Sequence, residues 1–158
     1  MIVQKSNFVK SHGCLLAIDH GSKYLGLALA DEQMKIAFPF GVIANRGEEY
    51  VLTELKKIIS DKNITQIVIG RPLALSGNVT EQTEITDQFV VWLKSKITVS
   101  IEVFDERFTT KMSATTNYEY NTNIRITNQR KKNNAEGHDA AAAIFLQDYL
   151  ERQNYRLD

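Results

Sequence analysis

The run Leu15-Leu16-Ala17-Ile18 is apolar at every position and ends on a carboxylate, Asp19. Continuous apolarity of this kind belongs to a strand buried on both faces. A carboxylate at the tip of such a strand is costly unless something pairs with it. Gly21 and Ser22 supply a turn, Lys23 follows, and Tyr24 to Ala30 runs back as a second strand. Gly26 lies early in that strand, where a side chain would obstruct a close neighbour. One acid, one hydroxyl and one lysine thus surround a glycine turn at the mouth of the predicted core.

Further along, Lys35 to Ile43 reads as a third strand, with Pro39 confining it to an edge or a bulge. Glu48 to Ser60 is an amphipathic helix with Val51, Leu52, Leu55, Ile58 and Ile59 on one face. Ile64 to Ile69 is a fourth strand, ending at Gly70. Thr80 caps the next helix, with Thr83 in the place of the usual capping-box acid. That helix runs to about Lys96 and is expected to bury Ile85, Phe89, Trp92 and Leu93. Thr98 to Phe104 is a fifth strand with Asp105-Glu106-Arg107 at its end. A short helix is expected from Thr109 or Thr110 to near Tyr118, and a last helix over His138 to Arg152. Residues 1–12 read as a loose leader.

Two strand–helix–strand units imply parallel pairing with right-handed crossovers. The opening hairpin implies an antiparallel side. The expectation is one α/β domain over residues 1–158, a mixed five-stranded sheet flanked by helices with the first strand central. Ligands of such sheets bind beyond the carboxyl ends of strands where the order reverses. Asp19, the Gly70–Pro72 loop and Glu106 all fall at such ends.

With 19 basic and 19 acidic residues the formal net charge is zero, so affinity for nucleic acid has to come from a local patch. Such a patch is on offer between Glu119 and Glu136. There Arg125, Arg130, Lys131 and Lys132 fall within eight positions with no acid among them. The segment lacks apolar periodicity and reads as a mobile basic loop over residues 119–136. The single cysteine, Cys14, excludes an internal disulfide and a cysteine-rich zinc site. No apolar run is long enough to span a membrane, and no signal peptide is evident. These features predict a soluble protein of a reducing, cytoplasmic compartment without membrane partners.

Asp19, Glu106 and Asp139 form a candidate set of hard oxygen donors, suited to Mg²⁺ or Mn²⁺. Each also has a plainer role: Asp19 closing a hairpin turn, Glu106 pairing with Arg107, Asp139 capping a helix. Lys23 and Arg107 are as consistent with solvated or ion-paired cations as with phosphate contacts. Asp105 reads as structural, and His138 as an exposed loop histidine.

The segment Asp19-His20-Gly21-Ser22-Lys23-Tyr24-Leu25-Gly26 resembles the DxGxKxxG opening of the YqgF family, also called RuvX. Its members are described as pre-16S rRNA nucleases and, earlier, as Holliday junction resolvases, with a ribonuclease-H-like fold. Gly70-Arg71-Pro72-Leu73, with Gly77 downstream, is similar to the family's GLPxxxDG loop. Asp105-Glu106-Arg107-Phe108-Thr109-Thr110 is similar to its DERLTT segment. Gly137 to Leu150 resembles its terminal DxxAAxxILxxYL helix. The four motifs follow in order over roughly Leu15 to Leu150. Three positions depart from the pattern: Arg71 stands where the family has leucine, and Ala74 and Ser76 where it has Asn and Asp.

The resemblance implies a metal-dependent endonuclease involved in maturing the 5′ end of 16S rRNA. Asp19, Glu106 and Asp139 would be its catalytic metal ligands, and Mg²⁺ or Mn²⁺ its cofactor. Lys23, Arg71, Arg107, Arg125, Arg130, Lys131 and Lys132 are the expected substrate-binding residues. RNA is the expected partner and branched DNA the variant in the same chemistry, with the chain a monomer or weak homodimer. Two other classes stay open: a catalytically silent nucleic-acid binder, and an ATPase-like nucleotide module. The DxGSKxxG stretch also resembles the latter's phosphate loop, but this chain has no second copy of the motif.

Overall fold

The computed structural model describes residues 13–31, 33, 36–106 and 137–155. Within them lie β1 (Cys14–His20), β2 (Tyr24–Asp31), β3 (Ala37–Ala44), α1 (Glu48–Asp61), β4 (Ile64–Arg71), α2 (Glu81–Lys96), β5 (Ser100–Asp105) and α3 (His138–Tyr155). The expected leader, the short helix after Thr109 and the basic loop lie outside the described residues.

The strands form one sheet in the order β3-β2-β1-β4-β5. β1 is central, antiparallel to β2 and parallel to β4. β3 pairs antiparallel with β2, and β5 pairs parallel with β4. This is the mixed arrangement that the hairpin and the two crossovers predict. Pro39 lies on the edge strand, as a residue without an N–H donor requires, and the β2–β3 register shifts between Leu27 and Ala28. That shift changes which way β3 side chains point. Ala37 packs into the core on one face of the sheet and Ile43 into the core on the other, although they are six positions apart, an even spacing.

Strand alternation divides the core in two. Leu16 and Ile18 of β1 face Val51 and Leu55 of α1 and Phe89, Val90 and Leu93 of α2. Leu15 and Ala17 face the opposite way, onto Ala142, Phe145, Leu146, Tyr149 and Leu150 of α3. Small residues at Ala17, Ala28 and Ala30 of the sheet and Ala142 of the helix let α3 lie close. A network at the strand edge pins it further: the Tyr149 hydroxyl donates to Glu102 at 2.7 Å and accepts from Gln66 at 2.8 Å.

The Thr80–Thr83 capping box forms as expected, with each side chain bonded to the other residue's backbone N–H. The buried face of α2 is nevertheless rotated from expectation. Thr83, Thr86, Phe89, Val90 and Leu93 are buried, whereas Ile85 is 40% exposed. The cause is tertiary: the Thr83 hydroxyl donates to the Pro72 carbonyl, which turns that polar side chain inward and Ile85 outward.

A candidate active site at the tip of the central strand

The alternation that builds the core also sorts the tip of β1. Asp19 continues the α3 face of Leu15 and Ala17. His20 continues the opposite face, where its ring stacks on Phe89 at 4.2 Å between centroids. Opposite Asp19 in β2 stands Gly26. A Cβ at Gly26 would collide with the His138 carbonyl. The missing side chain therefore lets the first turn of α3 rest directly on the sheet beside Asp19. As a result His138 Nδ1 lies 3.4 Å from Asp19 Oδ2. His138 is half-buried against the acid, not the exposed loop residue expected from the sequence.

Glu106 reaches the same place from β5. Ile18 pairs with Ile69, so Asp19 is next in line to Gly70. Gly70 pairs in turn with Phe104. A Cβ on Gly70 would run into Glu106 Oε1 and come within 3.0 Å of the Phe145 ring. The second glycine thus makes room for the second carboxylate. Burial pushes the Glu106 carboxyl from an ordinary 4.5 up to about 7, helped by the negative charges of Asp19 and Asp105. Burial also raises Asp19, partly offset by its contact with His138. Two acids raised by burial, one of them also opposed by the charge of the other, mark a candidate functional site.

Asp139 sits one residue beyond His138, in the first turn of α3, where its Oδ1 accepts the Ala140 N–H at 2.8 Å. The positive end of the helix favours an acid there. Among the described residues no three His, Cys, Asp or Glu side chains are gathered closely enough to hold a metal ion. The structure therefore brings Asp19 and Glu106 together and leaves the Asp139 carboxylate engaged with its own helix. Two half-buried carboxylates of raised pKa still fit a hard divalent cation, because Mg²⁺ commonly binds through one or two carboxylates and keeps several waters.

The expected substrate-binding residues are distributed differently. Lys23 is exposed in the β1–β2 turn. Arg71 is held by Asp87 of α2 through two bonds, Nε to Oδ1 at 2.7 Å and a terminal nitrogen to Oδ2 at 2.8 Å. Asp105 also lies close enough to favour its charged form. The departure Arg71 thus brings a partner of its own. Arg107, Arg125, Arg130, Lys131 and Lys132 lie outside the described residues. Sequence reasoning passed over His138 as a neighbour of Asp19, and the charge of Asp105 acting on Glu106. The two glycines, Gly26 and Gly70, were the signals available for the close approaches.

A mixed sheet with its central strand ending in a paired acid, and a helix seated beside it, is the ribonuclease-H-like class of α/β fold. The family model described as "RuvX: Holliday junction resolvase" matches residues 13–152, and the chain belongs to that family. A relative from Rickettsia typhi is 36% identical over 132 residues, covering 84% of this chain and 80% of its own. One from Rickettsia felis is 37% identical over 137 residues, covering 87% and 85%. Both carry the name "Putative pre-16S rRNA nuclease". Among solved structures, Thermus thermophilus RuvC in complex with a Holliday junction substrate superposes with a TM-score of 0.51 at 12% identity. It covers 90% of this chain and 96% of its own, a likeness of fold. No described helix is long and apolar enough to cross a membrane.

Proposed function

We propose that the chain is a metal-dependent nuclease that hydrolyses a phosphodiester of precursor 16S rRNA near its 5′ end. The observation that carries the reading is the approach of Glu106, lying over Gly70, to Asp19, where burial and the charges of Asp19 and Asp105 hold Glu106 at about 7. The names of the relatives from Rickettsia support the substrate. The four-way junction bound by the RuvC neighbour belongs to that protein.

In this reading Asp19 and Glu106 hold Mg²⁺ or Mn²⁺, and Asp139 is the third ligand. Asp139 Oδ1 accepts the Ala140 N–H, which leaves Oδ2 as the oxygen for ligation. A divalent cation there supplies Lewis-acid stabilisation of the charge developing on the phosphate and lowers the pKa of the attacking water. His138 holds Asp19 in place through its Nδ1 contact. Lys23, Arg107 and the basic run Arg125, Arg130, Lys131 and Lys132 grip flanking phosphates as counterion-releasing contacts. Arg71 ties the Gly70–Pro72 loop to α2 through Asp87 and is assigned to that tie rather than to the grip.

The test is cleavage of a precursor 16S 5′ segment and of a four-way DNA junction, each with Mg²⁺, with Mn²⁺ and in excess chelator. Cation-dependent cutting of the RNA is expected. Asp19→Asn is expected to lower its rate by more than the roughly 10–100-fold that loss of an outer-shell partner costs. Cutting that survives the chelator removes the mechanism, and cutting confined to the junction reassigns the substrate.

A further inference from the structure

A cleft of about 230 Å³ opens on the other face of the sheet, at the same end as the acids. His20, Phe89 and Trp92 form its aromatic wall, and Asn45, Glu48 and Gln88 bring polar groups to it. Its relation to the acids is set by one peptide unit. Asp19 and His20 are consecutive at the tip of β1 and point to opposite faces, so a strand laid across that tip reaches both. We propose that this cleft receives one unpaired base of the nucleic-acid strand whose backbone runs past Asp19, an inference that rests on the nuclease reading.

Three observations select a base over other occupants. The first is stacking. His20 lies on Phe89 at 4.2 Å and 22°, and Phe89 meets Trp92 at 5.6 Å. The line of rings ends on the half-buried Trp92. A base extends such a line whatever its sequence, because every base has a π-face.

The second is charge. Glu48 lines the cleft and Glu49 shares the first turn of α1. The Glu48 carboxylate in the lining, with Glu49 next to it in the chain, disfavours a phosphate there, although the place is a helix N-terminus. Glu48 accepts readily from the amino and imino groups on a base edge, and Asn45 and Gln88 can donate or accept there. The third is size. The volume falls below the roughly 300–1,000 Å³ of ordinary small-molecule pockets, which suits one ring system. A paired base cannot enter, so the cleft selects strands whose bases are splayed out. It thereby separates the unpaired flank of a precursor from its helical part.

Trp92 is the only tryptophan in the chain, so its fluorescence reports the cleft directly. The experiment titrates the wild-type chain, in excess chelator to prevent cutting, with a short single-stranded RNA. A second strand of equal length and charge has abasic positions throughout. Saturable quenching by the base-bearing strand alone is expected. Ile85 also lines the cleft yet is exposed, so Ile85→Phe fills it while sparing the core. That variant is expected to lose the quenching and to bind the RNA roughly 5–150-fold more weakly, the value of one stacked base. Gln88→Ala serves as a second exposed variant and is expected to weaken binding in the same direction. Equal quenching by the abasic strand, or undiminished affinity in Ile85→Phe, overturns the proposal. Quenching by a wild-type chain that cuts no nucleic acid keeps the cleft and removes the nuclease reading. Cutting without quenching does the reverse.

Discussion

The two faces of this sheet start from the same strand and arrive at opposite chemistry. On the α3 face, glycines at Gly26 and Gly70 remove side chains, and what enters the space is polar: the His138 backbone and the Glu106 carboxylate. On the α1–α2 face the space above β1 is filled by rings, with His20 on Phe89. One face holds charge that burial makes costly, and the other offers surface on which flat groups stack. In the proposed reading a single β1 tip serves both halves of a nucleic-acid site, one for backbone chemistry and one for recognition. Alternation along the strand puts Asp19 and His20 on the two faces without a longer loop.

The largest stability effect is expected on the charged face. Glu106 is raised in the folded chain, so the folded state binds its proton more tightly than the unfolded state does. Stability contributed by the neutral acid is present below the unfolded value near 4.5 and is lost as pH rises through about 7. A shift of this size corresponds to on the order of 3 kcal/mol. Glu106→Gln is therefore expected to melt higher than wild type at pH 8 and at nearly the same temperature at pH 4, both in chelator. An equal difference at the two pH values would mean that the substitution acts through packing and not through charge.

A somewhat smaller effect should follow from closing the gap at the other glycine. Gly26→Val drives a side chain into the backbone of His138, and overpacking of this kind costs about 1–3 kcal/mol. Urea unfolding reads the loss, and cleavage should fall with it because α3 carries His138 and Asp139. Gly47, before α1 on the opposite face, has open space around its Cβ position but a φ of 103°. Gly47→Ala should cost stability through backbone conformation and leave the seating of α3 intact. If Gly26→Val is tolerated with full cleavage, the close approach of α3 is not what organises the acids.

The smallest effect is expected at the Arg71–Asp87 pair, which joins the loop after β4 to α2 from a largely solvated position. Arg71 depresses the Asp87 pKa, chiefly by hydrogen bonding. The contribution is present above the unfolded value near 3.8 and is lost as pH falls through the lower folded value. Because Asp87 is 42% exposed, solvent screening limits the pair to about 0.2–1 kcal/mol. Asp87→Asn should lower the urea midpoint slightly at pH 7, with the difference shrinking at acid pH. A loss several times larger would make this pair a structural anchor of α2 rather than a local tie.

What could be read from the chain beforehand follows the range of the interactions. The apolar run of β1, the hairpin glycines and Pro39 act locally, and they led to the central strand, the antiparallel side and the edge. Thr80 and Thr83 form the box that their spacing of three predicts. Contacts across elements left weaker traces. Arg71 and Asp87 are 16 positions apart on a strand end and a helix, with no periodic pattern to link them. Asp19 and His138 are 119 apart and meet only because Gly26 lets α3 come down. The orientation of α2 depended on a hydroxyl reaching a loop carbonyl, which hydrophobic spacing does not encode. Among the acids, strand ends pointed to Asp19 and Glu106, and the resemblance pointed to those two and to Asp139 at the start of the last helix. The fold joins Asp19 and Glu106, while Asp139 satisfies its own helix.

The central claim is that Asp19 and Glu106 together hold a divalent cation. Its most direct measurement is Mn²⁺ binding by titration calorimetry at pH 8, where Glu106 is largely ionised. Wild type, Asp19→Asn and Glu106→Gln are compared without substrate. The account predicts a saturable site in wild type, lost or weakened by at least tenfold in each variant while both remain folded. Mn²⁺ binding of unchanged affinity in the two variants would contradict it.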